Sequence, residues 1–146
     1  MKIIRASSEF LNELIPLFDA YRVFYQQSSD LPGARRFLED RFARNESIIF
    51  MAVDSDGKGV GFTQLYPSFS SVSMQPMHIL NDLYVDPQGR GKGIGAALMR
   101  QAQQYAREQG CKSLVLETAV DNPAQKLYKR LGWAQDVAVN HYTWTV

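Results

Sequence analysis

Leu80-Asn-Asp-Leu-Tyr-Val-Asp-Pro-Gln-Gly-Arg-Gly-Lys-Gly-Ile-Gly-Ala96 carries a β-rich run into a helical one through a loop crowded with glycine. Glycines let the backbone approach a ligand closely, and the first amides of a helix opening near Ile94 have no partner inside it. With the positive end of the helix dipole behind them, those amides suit a phosphate, and Arg90 and Lys92 add local positive charge. Three phosphate-binding patterns compete for the segment. The P-loop fails, because Asp86 stands where its first glycine belongs and Lys92 is followed by Gly93 rather than Ser or Thr. The dinucleotide fingerprint fits Gly91-Lys-Gly-Ile-Gly-Ala96, with Glu117 near the place of a ribose-binding acid. Against it, the five residues Asp86-Pro-Gln-Gly-Arg90 separate the strand from the first glycine, where that fold turns almost at once.

Working outward, the spacing predicts a short strand over Lys2–Arg5 and then a helix starting at Ser7 or Ser8. Its buried stripe is Phe10, Leu14, Leu17, Phe18, Tyr21, Phe24 and Tyr25, at intervals of three and four. Pro16 is expected to kink or split this helix. After a loop over Gln26–Gly33, a second helix turns Phe37, Leu38 and Phe42 inward. The period then changes to that of an antiparallel meander, Ile48–Val53, Val60–Tyr66 and Met77–Val85, joined by the turn Asp54–Gly59 and by Pro67–Pro76. A helix over Ile94–Gln109 stops at Gly110, and a strand over Ser113–Thr118 follows. Asn122 as N-cap and Pro123 as first residue open a last helix ending at Gly132. Strands near Ala134–Val139 and His141–Val146 complete an α+β domain with one parallel βαβ unit in a mostly antiparallel sheet.

Composition sets the outer bounds. At 146 residues, with 45% hydrophobic and 21% charged, the chain reads as one domain over residues 1–146 that needs no staple, since such a length buries roughly 68–70% of the unfolded surface. A formal charge of +1 gives no global field toward nucleic acid or an anionic membrane. Cys111, the only cysteine, excludes an internal disulfide and multi-cysteine zinc sites and makes a reducing cytoplasm the expected compartment. The longest apolar run, Ile48–Val53, is far short of the ~20 residues of a membrane-spanning helix, and the first ten residues carry no signal-peptide core. His78 and His141 are too isolated for a metal site, so no metal is expected.

The third pattern is a family resemblance. Leu80-Asn-Asp-Leu-Tyr-Val-Asp-Pro87 followed by Arg90-Gly-Lys-Gly-Ile-Gly95 resembles the acetyl-CoA signature of the GNAT superfamily of N-acetyltransferases, R/Q-x-x-G-x-G/A after a V-x-P strand end. Asn122-Pro-Ala-Gln-Lys-Leu-Tyr-Lys-Arg-Leu-Gly-Trp133 is similar to the family's second signature, with its small residue at Ala124, one place early. The likeness runs from about Ile79 to Trp133, and the upstream order of elements fits the family's topology: a three-layer mixed sheet with a splayed parallel strand pair and about four helices. The segments around Tyr21, Phe62 and Asn81 look similar to the small-amine branch, which holds polyamine, histone and amino-acid acetyltransferases.

The resemblance implies acetyl-CoA as co-substrate. Amides from Arg90 through Gly91, Lys92, Gly93, Ile94 and Gly95 to Ala96 would hold the pyrophosphate, and the main chain of Leu83, Tyr84 and Val85 the acetyl-pantetheine arm. The Leu83 amide would face the developing oxyanion, provided the strand carries a bulge. Tyr128 matches the general acid that protonates the departing thiolate, and Asn122 would serve both as cap and as pantetheine contact. On either side of these roles stand plain ones: a packed helix tyrosine for Tyr128, a helix cap for Asn122. For the base, Asp82 leads, through water or as an anionic anchor, with Glu117 and His78 in reserve; its plain reading is a carboxylate paired with an arginine. Tyr21, Phe24, Tyr25, Phe62, Tyr66 and Phe69 form an aromatic groove for a cationic acceptor or belong to the core. Polyamine enzymes usually carry Glu-Asp where this chain has Asn81-Asp82, which favours a mono-amine or amino acid over a long polycation. The expected function is acetyl transfer to a primary amine of a small molecule by direct attack in a ternary complex, with a homodimer expected by family habit. A non-catalytic acyl-CoA sensor and a dinucleotide enzyme are the alternatives.

Overall fold

The six-residue run Ile48–Val53 is buried at five consecutive positions, so a strand formed there must be covered on both faces. That requirement organises the chain. The computed structural model describes all residues 1–146, with β1 (Lys2–Arg5), a 3-10 turn (Ser8–Phe10), α1 (Leu11–Phe24), α2 (Leu31–Ala43), β2 (Ile48–Val53), β3 (Gly59–Ser70) and β4 (Gln75–Val85), then a 3-10 turn (Pro87–Gly89), α3 (Ile94–Glu108), β5 (Leu114–Val115) and α4 (Gln125–Arg130). Its sheet has the order β1-β2-β3-β4-β5, antiparallel throughout except for the parallel pair β4/β5. On one face, Leu14, Phe18, Ala34 and Leu38 of α1 and α2 pack on Ile49, Met51, Phe62 and Tyr84. On the other, Ile94, Leu98, Met99 and Ala102 of α3 pack on Ile48, Phe50, Leu65 and Leu80, with Leu127 and Tyr128 of α4 beside them. The mixed three-layer architecture with four helices is the one expected from the sequence.

Several boundaries differ for identifiable reasons. Pro16 lies inside a continuous α1, where the buried face of Leu11, Leu14, Ile15, Leu17 and Phe18 holds the helix through the missing amide. The second helix begins at Leu31 rather than after Gly33, because Asp30 is its N-cap and accepts from the Gly33 amide at 2.9 Å. The Pro67–Pro76 stretch is mostly strand: β3 and β4 pair out to Ser70↔Gln75, and Pro67 and Pro76 are accommodated within that hairpin arm. Only Leu114 and Val115 of the expected Ser113–Thr118 strand pair with β4. Pro123 precedes α4 instead of opening it, although Asn122 Oδ1 does accept from the Ala124 amide at 2.9 Å. The two C-terminal strands expected over 134–146 are absent. That segment carries Tyr142 and Trp144 exposed and has no sheet partner.

The loop between α1 and α2 is anchored by Asp19, which is 7% exposed and accepts from Ser29 Oγ and from the Asp30 amide, both at 2.7 Å. Asp30 in turn caps α2. Asp30→Ala removes the cap side chain and is expected to cost about 1 kcal/mol, read as a fall of about 3 °C in Tm; an unchanged Tm would mean the cap contributes nothing.

Candidate active site

Pairing between β4 and β5 is limited to His78↔Leu114 and Ile79↔Val115. Beyond those pairs β4 runs on to Val85 while 116–118 leaves the sheet, and a cleft of about 270 Å3 opens between them. Leu80, Asn81, Leu83, Tyr84 and Val85 line one wall, Leu116, Glu117, Thr118, Asn122 and Tyr128 the other, and Tyr21, Phe24, Tyr25 and Arg90 close its ends. The splayed parallel pair expected from the sequence is therefore present.

Within β4 the ladder to β3 steps from Gln64↔Asp82 to Leu65↔Leu80, leaving Asn81 as an extra residue. This β-bulge reverses the side-chain alternation. Leu80, Leu83 and Val85 all join the core under α3, whereas Tyr84 joins the core under α1. The backbone is fixed as well. Asp86 donates its amide to Val60 O at 3.0 Å, toward β3, so by the two-residue alternation of the ladder Leu83 and Val85 turn their main-chain groups toward the cleft. Arg90 Nε donates to Val85 O at 3.1 Å from that side, and its guanidinium lies over the rings of Phe24 and Tyr84, 5.7 and 5.9 Å from their centroids.

The glycine loop follows. Gly91 and Gly93 have φ of +75° and +79°, and a Cβ added at either would meet nothing within 4 Å. Backbone conformation, not space, therefore requires glycine there. Gly93 caps α3, whose first internal bond runs from the Ala97 amide to Gly93 O at 3.0 Å, so the amides of Ile94, Gly95 and Ala96 lack helical partners. The side chains of Ile94 and Ala96 are buried in the core, which leaves their amides as the available groups. Lys92 is exposed. Arg90, Leu83, Tyr84, Val85, Asn122 and Tyr128 all meet at the cleft, and the run from Gly91 to Ala96 adjoins it through Gly95, whose added Cβ would lie 3.8 Å from Val85 Cγ2.

Asp82 stands behind the cleft wall. It is 2% exposed and points to the α1 side, where Gln64 Nε2 and Asn81 Nδ2 donate to its carboxylate, the latter at 2.9 Å. Burial raises its pKa above 3.8, against the opposing hydrogen bonds of Gln64, Asn81 and Tyr21. No arginine pairs with it. Of the reserve bases, Glu117 lines the cleft, exposed and 3.7 Å from His141 Nδ1. His78 does not reach the cleft: it is buried on the α3 face, 3.2 Å from Cys111 Sγ and edge-on to Tyr105. Burial holds the His78 pKa down and the Cys111 thiol up, so this pair is a neutral packing contact. Tyr128 is half-buried, its phenol pushed up by burial and by Tyr25, with Thr118 acting in the opposite direction.

The expected aromatic groove divides. Tyr21, Phe24 and Tyr25 line the cleft, Phe62 is core at 1% exposure, Tyr66 sits near Asp82, and Phe69 projects into solvent at 80%. Gln64, fully buried and bonded to Asp82, escaped the sequence reading. A lone amide in the apolar run Val60–Tyr66, facing an acid on the next strand, was its available signal.

A mixed sheet splayed around a glycine-capped helix, with a tyrosine facing the gap, is the arrangement that the acyl-transferase resemblance of the sequence implies. The model of the Acetyltransferase (GNAT) family matches residues 14–133, and the chain belongs to that family, whose members use acetyl-CoA. It is an N-acetyltransferase, 46% identical over 143 residues to the uncharacterized N-acetyltransferase YhfO of Bacillus subtilis (strain 168), covering 97% of this chain and 95% of that one. An aminoglycoside N(6')-acetyltransferase of Stenotrophomonas maltophilia is 28% identical over 109 residues, 72% of this chain and 71% of the relative. The crystal structure of a probable acetyltransferase superposes with a TM-score of 0.95 at 40% identity, covering 100% of this chain and 98% of that one.

Because the folded state holds Asp82 above the ordinary carboxyl value, its proton contributes stability that is full below pH 3.8 and lost as pH rises through the folded value. Asp82→Asn abolishes that titration. Between about pH 4 and pH 7 the Tm difference should move in the variant's favour; a constant difference would show an ordinary carboxyl.

Proposed function

We propose that the protein transfers the acetyl group of acetyl-CoA to a primary amine of a small molecule, by direct attack in a ternary complex, as a single domain over residues 1–146. The observation that carries this reading is the gap between β4 and β5, with main chain lacking a strand partner on one wall and Tyr128 on the other. The partnerless amides of Ile94, Gly95 and Ala96, the exposed turn of Gly91, Lys92 and Gly93, and Arg90 fit a pyrophosphate. The main chain of Leu83 and Val85 fits a pantetheine arm laid along the strand, with the Tyr84 side chain in the same wall, its main chain spent on β3, and Asn122 on the opposite wall. Turned toward the gap, the Leu83 amide is placed to donate to the thioester oxygen as charge develops there.

An alkylammonium of pKa ~10.4 must shed a proton before it attacks, and a thiolate must gain one to leave. Tyr128 supplies the second proton, its raised pKa keeping the phenol protonated at neutral pH. Asp82 receives the first, since burial has made it a better proton acceptor than an exposed carboxylate. Glu117 is the only carboxylate on the cleft wall and Arg90 the only base, a charge pattern that suits a substrate with one ammonium rather than a polycation. That pattern supports the small-amine branch as our reading, and the name of the aminoglycoside-acetylating relative supports an amine acceptor. No helix is long and apolar enough to cross a membrane, and we place the enzyme in the cytoplasm as a homodimer, with no nucleic-acid or membrane partner and no metal.

Thermal unfolding with acetyl-CoA, CoA and NADH tests the co-substrate. A CoA species at 100 times its Kd should stabilise by ~2.7 kcal/mol and NADH should not; a response to NADH alone overturns the reading. Tyr128→Phe is expected to lower kcat about 100-fold in an amine-dependent CoA-release assay while leaving the acetyl-CoA Tm shift intact. Equal turnover would remove its acid role, and binding without any CoA release would leave a sensor domain.

A further inference from the structure

At 2% exposure and behind the cleft wall, Asp82 is out of reach of an amine seated in the cleft. Tyr21 is the side chain between them. Its ring lines the cleft, and its hydroxyl, donating to Asn81 O at 3.3 Å, also stands among the hydrogen-bonding neighbours of the Asp82 carboxylate. Resting on the acetyl-transfer reading above, we propose that the Tyr21 hydroxyl is a catalytic relay: it takes a proton from the acceptor ammonium on the cleft side while passing its own to Asp82 behind it.

The exchange balances. One N–H bond of the ammonium breaks and an O–H bond forms on Tyr21; the original O–H of Tyr21 breaks and one forms on Asp82. The products are a neutral amine, an unchanged phenol and a protonated carboxyl. The hydroxyl hydrogen is free to rotate about the phenol C–O bond, from Asn81 O toward the neighbouring carboxylate. The ring itself is fixed, edge-on to Tyr25 at 5.0 Å, to Phe62 at 5.9 Å and to Tyr84 at 6.5 Å between centroids. Burial and then the Asp82 charge push the Tyr21 pKa well up, so the hydroxyl passes protons in concert and does not wait as a phenolate.

Titratable and charged groups surround the pair on each side. Tyr25 caps the C-terminal end of α1; Tyr66 comes from β3, its own phenol pushed up by burial and by Asp82 and eased by Arg41 of α2. Tyr84 comes from β4, with the Arg90 guanidinium over its ring. Gln64 and Asn81 hold the carboxylate from the sheet. No cation pairs with Asp82, which leaves it free to take the proton.

The test is the pH profile of kcat/KM from about pH 6 to pH 10, for wild type, Tyr21→Phe, Asp82→Asn and the double variant. The acceptors are acetyl-CoA with ethanolamine, tyramine, lysine and spermidine, following whichever amine wild type acetylates fastest. Tyr21→Phe keeps the ring and its packing. It should lower kcat/KM about 100-fold near pH 7, and the deficit should close toward the amine's own pKa of ~10.4, where the substrate arrives deprotonated. The acetyl-CoA Tm shift should stay unchanged, and the double variant should be no slower than Asp82→Asn, as for two members of one relay. A Tyr21→Phe profile parallel to wild type at every pH, or additive losses in the double variant, overturns the relay while leaving the acetyltransferase reading intact. Absence of turnover by wild type with all four amines overturns both.

Discussion

A single extra residue in β4 decides the direction of everything after it. Were Asn81 a regular ladder residue and not a bulge, strand alternation would put Leu80 and Asp82 on one face and turn both Leu83 and Val85 to the other. Asp82 would then enter the apolar layer of Leu98 and Met99, with no polar partner to offset its burial. Displaced by one residue, it meets Gln64, Asn81 and Tyr21 instead, and Leu83 and Val85 complete the α3-side core. The same displacement breaks the regularity that continued pairing with β5 would need. Placement of the acid and opening of the cleft are thus two results of one irregularity.

Asp82 shows which effect wins locally. Hydrogen bonds to an ionised group are worth roughly 1.5–3 kcal/mol each, and burying a carboxylate costs several kcal/mol. Three hydrogen-bonding neighbours oppose the burial, yet the net direction is upward, toward the protonated acid. A guanidinium in their place would have made a more stable ion pair and a carboxylate unable to accept a proton near neutrality. Neutral amide and phenol donors hold the group in place while leaving its affinity for a proton high. This combination gives up stability for reactivity, as sites of proton transfer commonly do.

How much of this could be read from the chain depends on the range of the interaction involved. Glycines at 91 and 93, the helix from Ile94 and the placement of Tyr128 follow from local rules, because a left-handed turn and a helical stripe are written in neighbouring residues. Asp30 as a cap was also local, but the Pro32-Gly33 pair that follows it reads as loop until the Asp19 anchor is known. Bulge, cleft and buried carboxylate depend on register between strands, and register is set by residues far apart in sequence. Asp82 was legible as an acid in a strand; its company of Gln64 and Tyr21, separated from it by 18 and 61 positions, was not. The C-terminal segment failed in the opposite sense. Its alternation of Val137, Val139, Tyr142 and Trp144 satisfies the local rule for strands, but a strand also needs an edge to pair with, and β5 offers only two residues of one.

In the proposed reaction two protons travel in opposite senses, one away from the amine and one to the thiolate, and a single acid–base group between them would have to do both in one turnover. The splay separates the tasks. Tyr21 stands on the α1 side with a buried acceptor behind it, and Tyr128 on the α4 side, where Thr118 is its hydrogen-bonding neighbour and the one carboxylate of that wall, Glu117, is exposed and turned to His141. Both phenols are raised by burial, so neither ionises on its own, and what distinguishes them is the group at their back. A phenol backed by a carboxylate draws protons inward; one without such an acceptor has only its own proton to give. Direction of proton flow is therefore set by the layer of the fold in which each tyrosine is rooted, and the open sheet edge keeps the two layers apart.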